Sequence, residues 1–290
     1  MEDRSSPAWS YRDAFDRNIG LISEENQEKI RRAHVAIAGM GGVGGVYATT
    51  LARLGIGHFT IADPDSFEIA NTNRQQGASV STYGAGKAAT MERMIKDINP
   101  TAEVRTFDAL TPETAADFFE GVTIAIDSID FFTIGARRLL YQECRTRHIP
   151  VLGAAPVGFG SSMINYSPQG MSFDEYNAID DDMTNEEQIF QFALGLSPLL
   201  LQYPYFAPKS IDFEHHRAPS SVLGTLACAN MVGCEAYKII IGLPYESAPV
   251  SRQFDPFVRK MRRCNLWGGN RNPIQLLKKW YLQKMFSLAK

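Results

Sequence analysis

The sequence predicts an α/β fold: a doubly wound, mostly parallel sheet of the Rossmann-like type with an antiparallel extension. Three observations carry that expectation. Apolar runs of strand length alternate with helix-length segments from His34 to about residue 153, as parallel strands joined by crossover helices require. The first run, Val35 to Ala38, leads into four glycines within six positions, Gly39, Gly41, Gly42 and Gly44, and then into a helix-like segment. Beyond Pro156, Gly158 to Tyr166 reads as a further strand running against the others.

The elements follow in order. Residues 7–33 look helical and amphipathic, with Arg12, Arg17, Arg31 and Arg32 set among Tyr11, Phe15, Ile19, Leu21 and Ile30, and Ser23 placed to cap a helix start. Strands are expected at 34–39, 58–63, 103–107, 122–127 and 149–153, and helices at 43–54, 85–97, 112–119 and 132–147. Gly39, Gly41 and Gly44 fit G-x-G-x-x-G: a tight turn, a backbone a phosphate can approach, and close packing of helix on strand. The helix start that follows presents free N–H groups to an anion. Asp63, ending the second strand, stands where an acidic residue meets a ribose hydroxyl. Then come an acidic loop, Asp174 to Glu187, a Leu/Pro/Tyr run from Leu199 to Pro208, and a long helix over 221–241. From Pro249 the chain reads as a basic tail, with Arg252, Arg259, Lys260, Arg262 and Arg263 before Gly268-Gly269-Asn270. Pro273 opens a terminal helix, expected to dock on the body rather than on a membrane surface or a partner. Residues 1–248 are expected to form one domain and 249–290 its tail.

Composition narrows the class. A net charge of −3 on 290 residues gives no overall pull toward nucleic acid or an anionic membrane. Cys144, Cys228, Cys234 and Cys264 form no C-x-x-C pair, which argues against a disulfide framework and against a four-thiolate zinc site. Cys228 and Cys234 read as packing residues, and only Cys264, after two arginines, has surroundings that favour a thiolate. His215-His216 lacks a third metal ligand, and adjacent side chains diverge. The polar start, Met1 to Ser6, does not read as a signal peptide, and the apolar stretch Val222 to Ile241 contains Asn230, Glu235 and Lys238. The expected setting is reduced and cytoplasmic, without a membrane span.

The chemistry is carried by charges placed after the strands. Asp63 is followed by Asp65 and by Asn71-Thr72-Asn73-Arg74-Gln75; Gly84-Ala85-Gly86 leads to Lys87; the fourth strand ends Ile126-Asp127-Ser128-Ile129-Asp130. An arginine, a lysine and a carboxylate from separate strand ends suit a triphosphate better than a dinucleotide's diphosphate bridge. Arg74 and Lys87 can neutralise charge developing on phosphate oxygens, and Asp130 can hold magnesium through oxygen. An NAD-dependent oxidoreductase is the rival from another class.

These segments, with Phe15-Asp16-Arg17-Asn18 and Ile98-Asn99-Pro100, resemble the ThiF/MoeB/HesA family, bacterial relatives of ubiquitin-activating enzymes. The resemblance spans roughly the first 155 residues and returns in helix 221–241. It implies binding of ATP and magnesium, adenylation of a carboxylate with release of pyrophosphate, and a homodimer. The substrate it implies is a small acid or the C-terminus of a ubiquitin-like carrier protein. Gly41, Asp63, Asn71, Arg74, Lys87 and Asp130 fall on its nucleotide-site positions. Gly39, Gly42, Gly44, Asp65, Asn73 and Asp127 lie within the same motifs. Arg17 falls where the family places an arginine that reaches the phosphates, often of the other subunit. The chain departs from the family in lacking two C-x-x-C pairs and any cysteine between Tyr166 and Pro219, and in carrying Phe131 where Asn is common. It also resembles the zinc-free branch that dehydrates threonylcarbamoyladenosine on tRNA, a reading that only the basic tail favours. The carboxyl half, with Met171-Ser172-Phe173 and Gly268 to Pro273, fixes no substrate.

Overall fold

The computed structural model describes residues 8–206, 210–212 and 217–287. Its strands are β1 (His34–Ala38), β2 (His58–Ala62), β3 (Glu103–Phe107), β4 (Ile124–Asp127), β5 (Val151–Val157), β6 (Gly160–Tyr166), β7 (Val250–Asp255) and β8 (Lys260–Asn265). They form one sheet in the order β3-β2-β1-β4-β5-β6-β7-β8. Pairs from β3 to β5 are parallel and those from β5–β6 onward antiparallel, as the sequence predicts for β6. The order reverses between β1 and β4, so a crevice opens there past the carboxyl ends of the strands.

The helices are α1 (Tyr11–Phe15), α2 (Glu24–Arg32), α3 (Gly44–Leu54), α4 (Lys87–Ile98), α5 (Ala115–Phe118), α6 (Ile134–Thr146), α7 (Phe173–Asn177), α8 (Asn185–Leu196), α9 (Val222–Ile240) and α10 (Pro273–Ser287). Alternate strand residues serve opposite faces. Val35, Ile37, Phe59 and Ile61 bury against α3, α4 and α9, through Tyr47, Leu51, Met91, Ile95, Cys228 and Val232. Ala36, Ala38 and Ala125 face the second core, made by α5 to α8 with Phe118, Leu140, Phe173 and Phe192. A fully buried Ile, Leu or Phe contributes about 1.5–3 kcal/mol, so two apolar layers hold the parallel half.

The amino-terminal segment is two short helices with a 3-10 turn, Asp16–Asn18, between them, and Ser23 caps α2 by accepting from Asn26 N–H. Its work is at the far end of α3. Tyr11 Oη donates to Gly55 O at 2.7 Å, and Asn18 Nδ2 and Gln27 Nε2 donate to Leu54 O at 3.2 and 3.0 Å. These bonds occupy carbonyls that a helix end leaves open.

The carboxyl half differs from expectation in three places. The acidic stretch is a loop only over 178–184, which holds Asp180 to Asp182: on either side, Ser172 with Glu175 and Thr184 with Glu187 form capping boxes that start α7 and α8, where acidic side chains suit the helix dipole. The stretch from Pro249, expected as a tail, begins with β7 and β8, hydrogen-bonded to the sheet. The terminal helix docks, but by its polar side. Asn272 Oδ1 accepts from Ile274 N–H at 3.0 Å and Pro273 follows the cap, while wholly buried Gln275 and half-buried Lys278 face the body. His215, His216 and Leu288 lie outside the described residues.

Candidate active site

At the carboxyl edge of the parallel strands, the glycines divide by cause. Gly39 has φ +97°, and a Cβ there would stand 2.3 Å from Ser128 O; at Gly44 it would stand 1.9 Å from Gly39 O. Packing demands both. Gly41 and Gly42 are different: a Cβ would meet only Gln75 Nε2 at 3.8 Å and Thr225 Cγ2 at 3.9 Å, and neither backbone is left-handed. Among the described residues nothing requires glycine there, since a Cβ would sit in ordinary van der Waals contact. A ligand that lies against the backbone is what a side chain at these two positions would obstruct. The first turn of α3 adds free amides, since its cap residue Val43 makes no side-chain capping bond.

Three loops meet this turn. The first follows β2. Asp63 Oδ2 accepts from Met40 N–H at 2.6 Å and Oδ1 from Asp65 N–H at 2.9 Å, so the carboxylate pins the glycine turn to the second strand. Burial raises the Asp63 pKa, and the two backbone donors and Lys87 oppose that rise. Lys87, buried at the start of α4, reaches Asp65 Oδ2 at 2.9 Å. Lys87 is thus joined to the turn through Asp65 and Asp63.

The second loop is Ile69 to Gln75. Asn71 is inward and structural: its Oδ1 accepts from Glu68 N–H at 2.9 Å and closes a short 3-10 turn. Asn73 Nδ2 donates to Ser220 O at 2.9 Å, which ties this loop to the residue before the Ser221 cap of α9. Arg74 donates only to Ala70 O and Asn73 Oδ1, both at 3.0 Å, and among the described residues no carboxylate pairs with it. Gln75, the motif's last residue, was not expected in the site. Its amide lies beside Gly41, and its buried Oε1 has no partner. Buried polar atoms are nearly always satisfied, so that oxygen invites a ligand donor or water.

The third loop follows β4. Ser128 Oγ donates to Ala38 O at 2.8 Å and to Gly39 O, clamping the turn from the other side. Asp130 is exposed; its Oδ1 accepts from Phe132 N–H at 2.9 Å and, among the described residues, Oδ2 has no partner. A single free carboxylate oxygen on the loop that Ser128 ties to the glycine turn is the kind of ligand magnesium takes. Among the described residues no three His, Cys, Asp or Glu side chains gather into a metal site. Asp127 is buried and engaged by the protein itself. Its Oδ2 accepts from Arg137 Nε at 2.8 Å and Tyr141 Oη at 3.1 Å, and its Oδ1 from Ile129 N–H at 3.1 Å. Arg137, itself buried, donates onward to the carbonyls of Ile129 and Asp130. The pair shapes the loop that presents Asp130.

Arg17 is not at this edge. It sits in the turn beside the carboxyl end of α3, while the glycine turn meets the amino end. Eleven helical residues span about 16 Å at the usual rise. Of the expected residues, then, Arg74 and Asp130 lie on loops that touch the glycine turn, Lys87 opens α4 and is joined to it through Asp65 and Asp63, and Arg17 lies across the subunit. Ser128, Gln75 and Thr225, which no part of the expectation assigned, make the contacts.

Known proteins resemble this chain in sequence and fold. A tRNA threonylcarbamoyladenosine dehydratase of Haemophilus influenzae is 32% identical over 259 residues, covering 86% of this chain and 96% of that one. The dehydratase of Bacillus subtilis is 39% identical over 142 residues, and the chain spans only 55% of that relative's length. The structure of the Escherichia coli dehydratase in complex with AMP superposes with a TM-score of 0.59 at 22% identity, over 80% of this chain and 95% of that one. The likeness establishes the fold. The profile of the ThiF family, whose members are ATP-utilising adenylyltransferase-like enzymes, matches residues 15–275. That match runs from α1 to the first turn of α10 and takes in all three loops at the glycine turn, and on it the chain belongs to the ThiF family.

Proposed function

We propose that the chain is an ATP-dependent adenylyltransferase that joins a substrate carboxylate to AMP and releases pyrophosphate. The observation that carries this reading is the uncrowded Gly41–Gly42 backbone, met by loops that bear Arg74 and Asp130 and joined to Lys87 through Asp65 and Asp63. The α-phosphate lies over Gly41 to Gly44, and the ribose lies at Asp63. A carboxylate oxygen attacks the α-phosphorus. The bond from that phosphorus to the α–β bridging oxygen breaks, and pyrophosphate leaves with the electron pair. Lys87 and Arg74 sit where charge accumulates on phosphate oxygens, and a fixed cation acts there without reorganisation. Asp130 Oδ2 is the atom that would hold Mg2+, which supplies further charge neutralisation when bound. Arg17 serves the site of a second copy in a homodimer, a reading its place beyond α3 supports. The family match leaves the NAD-dependent alternative without support.

The acid is a small carboxylate or the C-terminus of a ubiquitin-like carrier. Exchange of labelled pyrophosphate into ATP, run with magnesium and a panel of such acids, tests the reaction. No exchange with any acid, together with no ATP binding, sinks it.

A second reading has one specific support, the near full-length match to a tRNA threonylcarbamoyladenosine dehydratase. There the same adenylation would act on a carboxylate carried by tRNA, and AMP would leave in the dehydration. Retention of tRNA on a filter, lost steeply as salt rises, favours this reading. Exchange that needs a free acid and ignores tRNA favours the first.

A further inference from the structure

The terminal helix presents its faces the wrong way round for a helix that only completes a fold. Gln275 is wholly buried, with Nε2 donating to Leu194 O at 3.0 Å and to Asn270 Oδ1 at 3.2 Å. Lys278, one turn on, donates to Pro198 O. The docked side of α10 is therefore polar. Ile274, Leu277 and Tyr281, spaced by three and four residues, stand on the outer side with Trp280, each more than half exposed. Lys284 lies over the Trp280 ring, 5.5 Å from its centre. An apolar stripe at this spacing normally faces a core. Here it faces outward.

Charge is segregated on the same part of the chain. Of 29 Lys and Arg, residues 256–290 hold nine; of 32 Asp and Glu they hold none. The last 35 residues therefore carry +9 and the first 255 carry −12, which the net charge of −3 conceals. In β8, Lys260 and Arg262 share one face and are exposed, Arg263 on the other face is paired with Glu246 at 2.7 Å, and Arg271 before the helix is exposed. A second copy laid isologously on α10 would bring lysines against lysines. A nucleic acid would use the cations and aromatic rings, but the outward Ile274 and Leu277 would find no use. A surface with both anionic heads and an apolar layer uses all of them: aliphatic groups go in, Trp and Tyr lie at the boundary, and cations stay at the heads.

We propose that α10 and the basic strand β8 form a docking face for an anionic lipid surface, on which α10 lies flat with its apolar side inward to the lipid. No described helix is long and apolar enough to cross a membrane, so the attachment is peripheral. It is also reversible, because one short helix buries little apolar area.

The test is flotation of the full-length protein with phosphatidylglycerol vesicles and, separately, phosphatidylcholine vesicles. The protein should float with the anionic vesicles, fall off by about tenfold or more in high salt, and stay behind with the zwitterionic ones. Leu277→Glu with Trp280→Glu should cut flotation by about tenfold or more while circular dichroism and ATP binding stay as in wild type. These side chains touch little of the body, and Trp280→Ala is the milder companion. Equal flotation of wild type and both variants overturns the proposal. So does a wild type that floats with neither vesicle but forms dimers that the variants dissociate, or one that retains RNA through Trp280.

Discussion

A methyl group placed on Gly41 and, separately, on Gly44 divides what the glycine turn does for the fold from what it does for a ligand. At Gly44 the new carbon would stand 1.9 Å from Gly39 O and 2.6 Å from Ser128 Oγ, and the first of these is backbone. Main chain must move, and overpacking of that kind costs about 1–3 kcal/mol or more. At Gly41 the nearest atom is 3.8 Å away and the backbone is not left-handed, so the apo protein accepts alanine. Loss of chain entropy in the unfolded state then stabilises Gly41→Ala by about 0.4–1 kcal/mol. That corresponds to a rise of about 1–3 °C in Tm for a chain of this size. The same methyl occupies the place assigned to a phosphate, and Kd for ATP–magnesium should rise by about tenfold or more, at least about 1.4 kcal/mol. Urea unfolding and isothermal titration read the two effects separately. If Gly41→Ala binds ATP–magnesium as wild type does, the turn is not the phosphate cradle and the reasoning fails.

Arg74→Ala and Lys87→Ala should each lower pyrophosphate exchange by about 100- to 1,000-fold, the usual cost of a lost electrostatic donor; exchange at the wild-type rate removes them from the mechanism. Arg137→Ala strands buried Asp127 and should destabilise the fold by about 3–5 kcal/mol in urea titrations; a loss under about 1 kcal/mol would show that the pair is not held dry. Burial, with Arg105 and His58 nearby, depresses the His34 pKa to about 4, against 6.5 when unfolded. The unfolded chain takes the proton first, so this stability is complete above pH 6.5 and is lost as pH falls toward 4. Allowing for partial exposure, the loss is about 1–2 kcal/mol, and His34→Gln should flatten it; an unchanged pH profile contradicts the assignment. Mixing inactive Arg17→Ala with inactive Lys87→Ala subunits should restore about a quarter of wild-type exchange through hybrid dimers, whereas no recovery means that Arg17 does not act across copies.

The parallel half was legible because its strands are apolar on both faces and its glycines sit at motif spacing. Val35 to Ala38 and His58 to Ala62 could be read directly. β7 could not. Its inward residues are Ser251, Gln253 and Asp255, so no hydrophobic period exists to find. Two of them are satisfied by polar partners instead: Gln253 bonds Leu199 N–H and Ser197 Oγ, and Asp255 takes the Tyr205 hydroxyl at 2.5 Å. Such pairings are invisible until the chain is folded. The helix starts at Ser172 and Thr184 were present in the sequence as capping boxes, hidden only by the acidity that suits a helix amino end. Asp127 was ambiguous for another reason. An acid at the end of a strand looks the same whether it faces a ligand or Arg137, and Arg137 lies ten residues on, outside the motif. Gln75 gave the converse case: the motif contained it, but only its amide nitrogen beside Gly41 and its orphaned oxygen mark it as part of the site.

The sheet stops at eight strands, and the unpaired margin of β8 carries Lys260, Arg262 and Arg263. A free margin is normally a template on which another strand can add. Two such margins brought together would crowd these cations, and like charges placed opposite one another are destabilising. Edge-to-edge assembly of copies is therefore disfavoured at that rim.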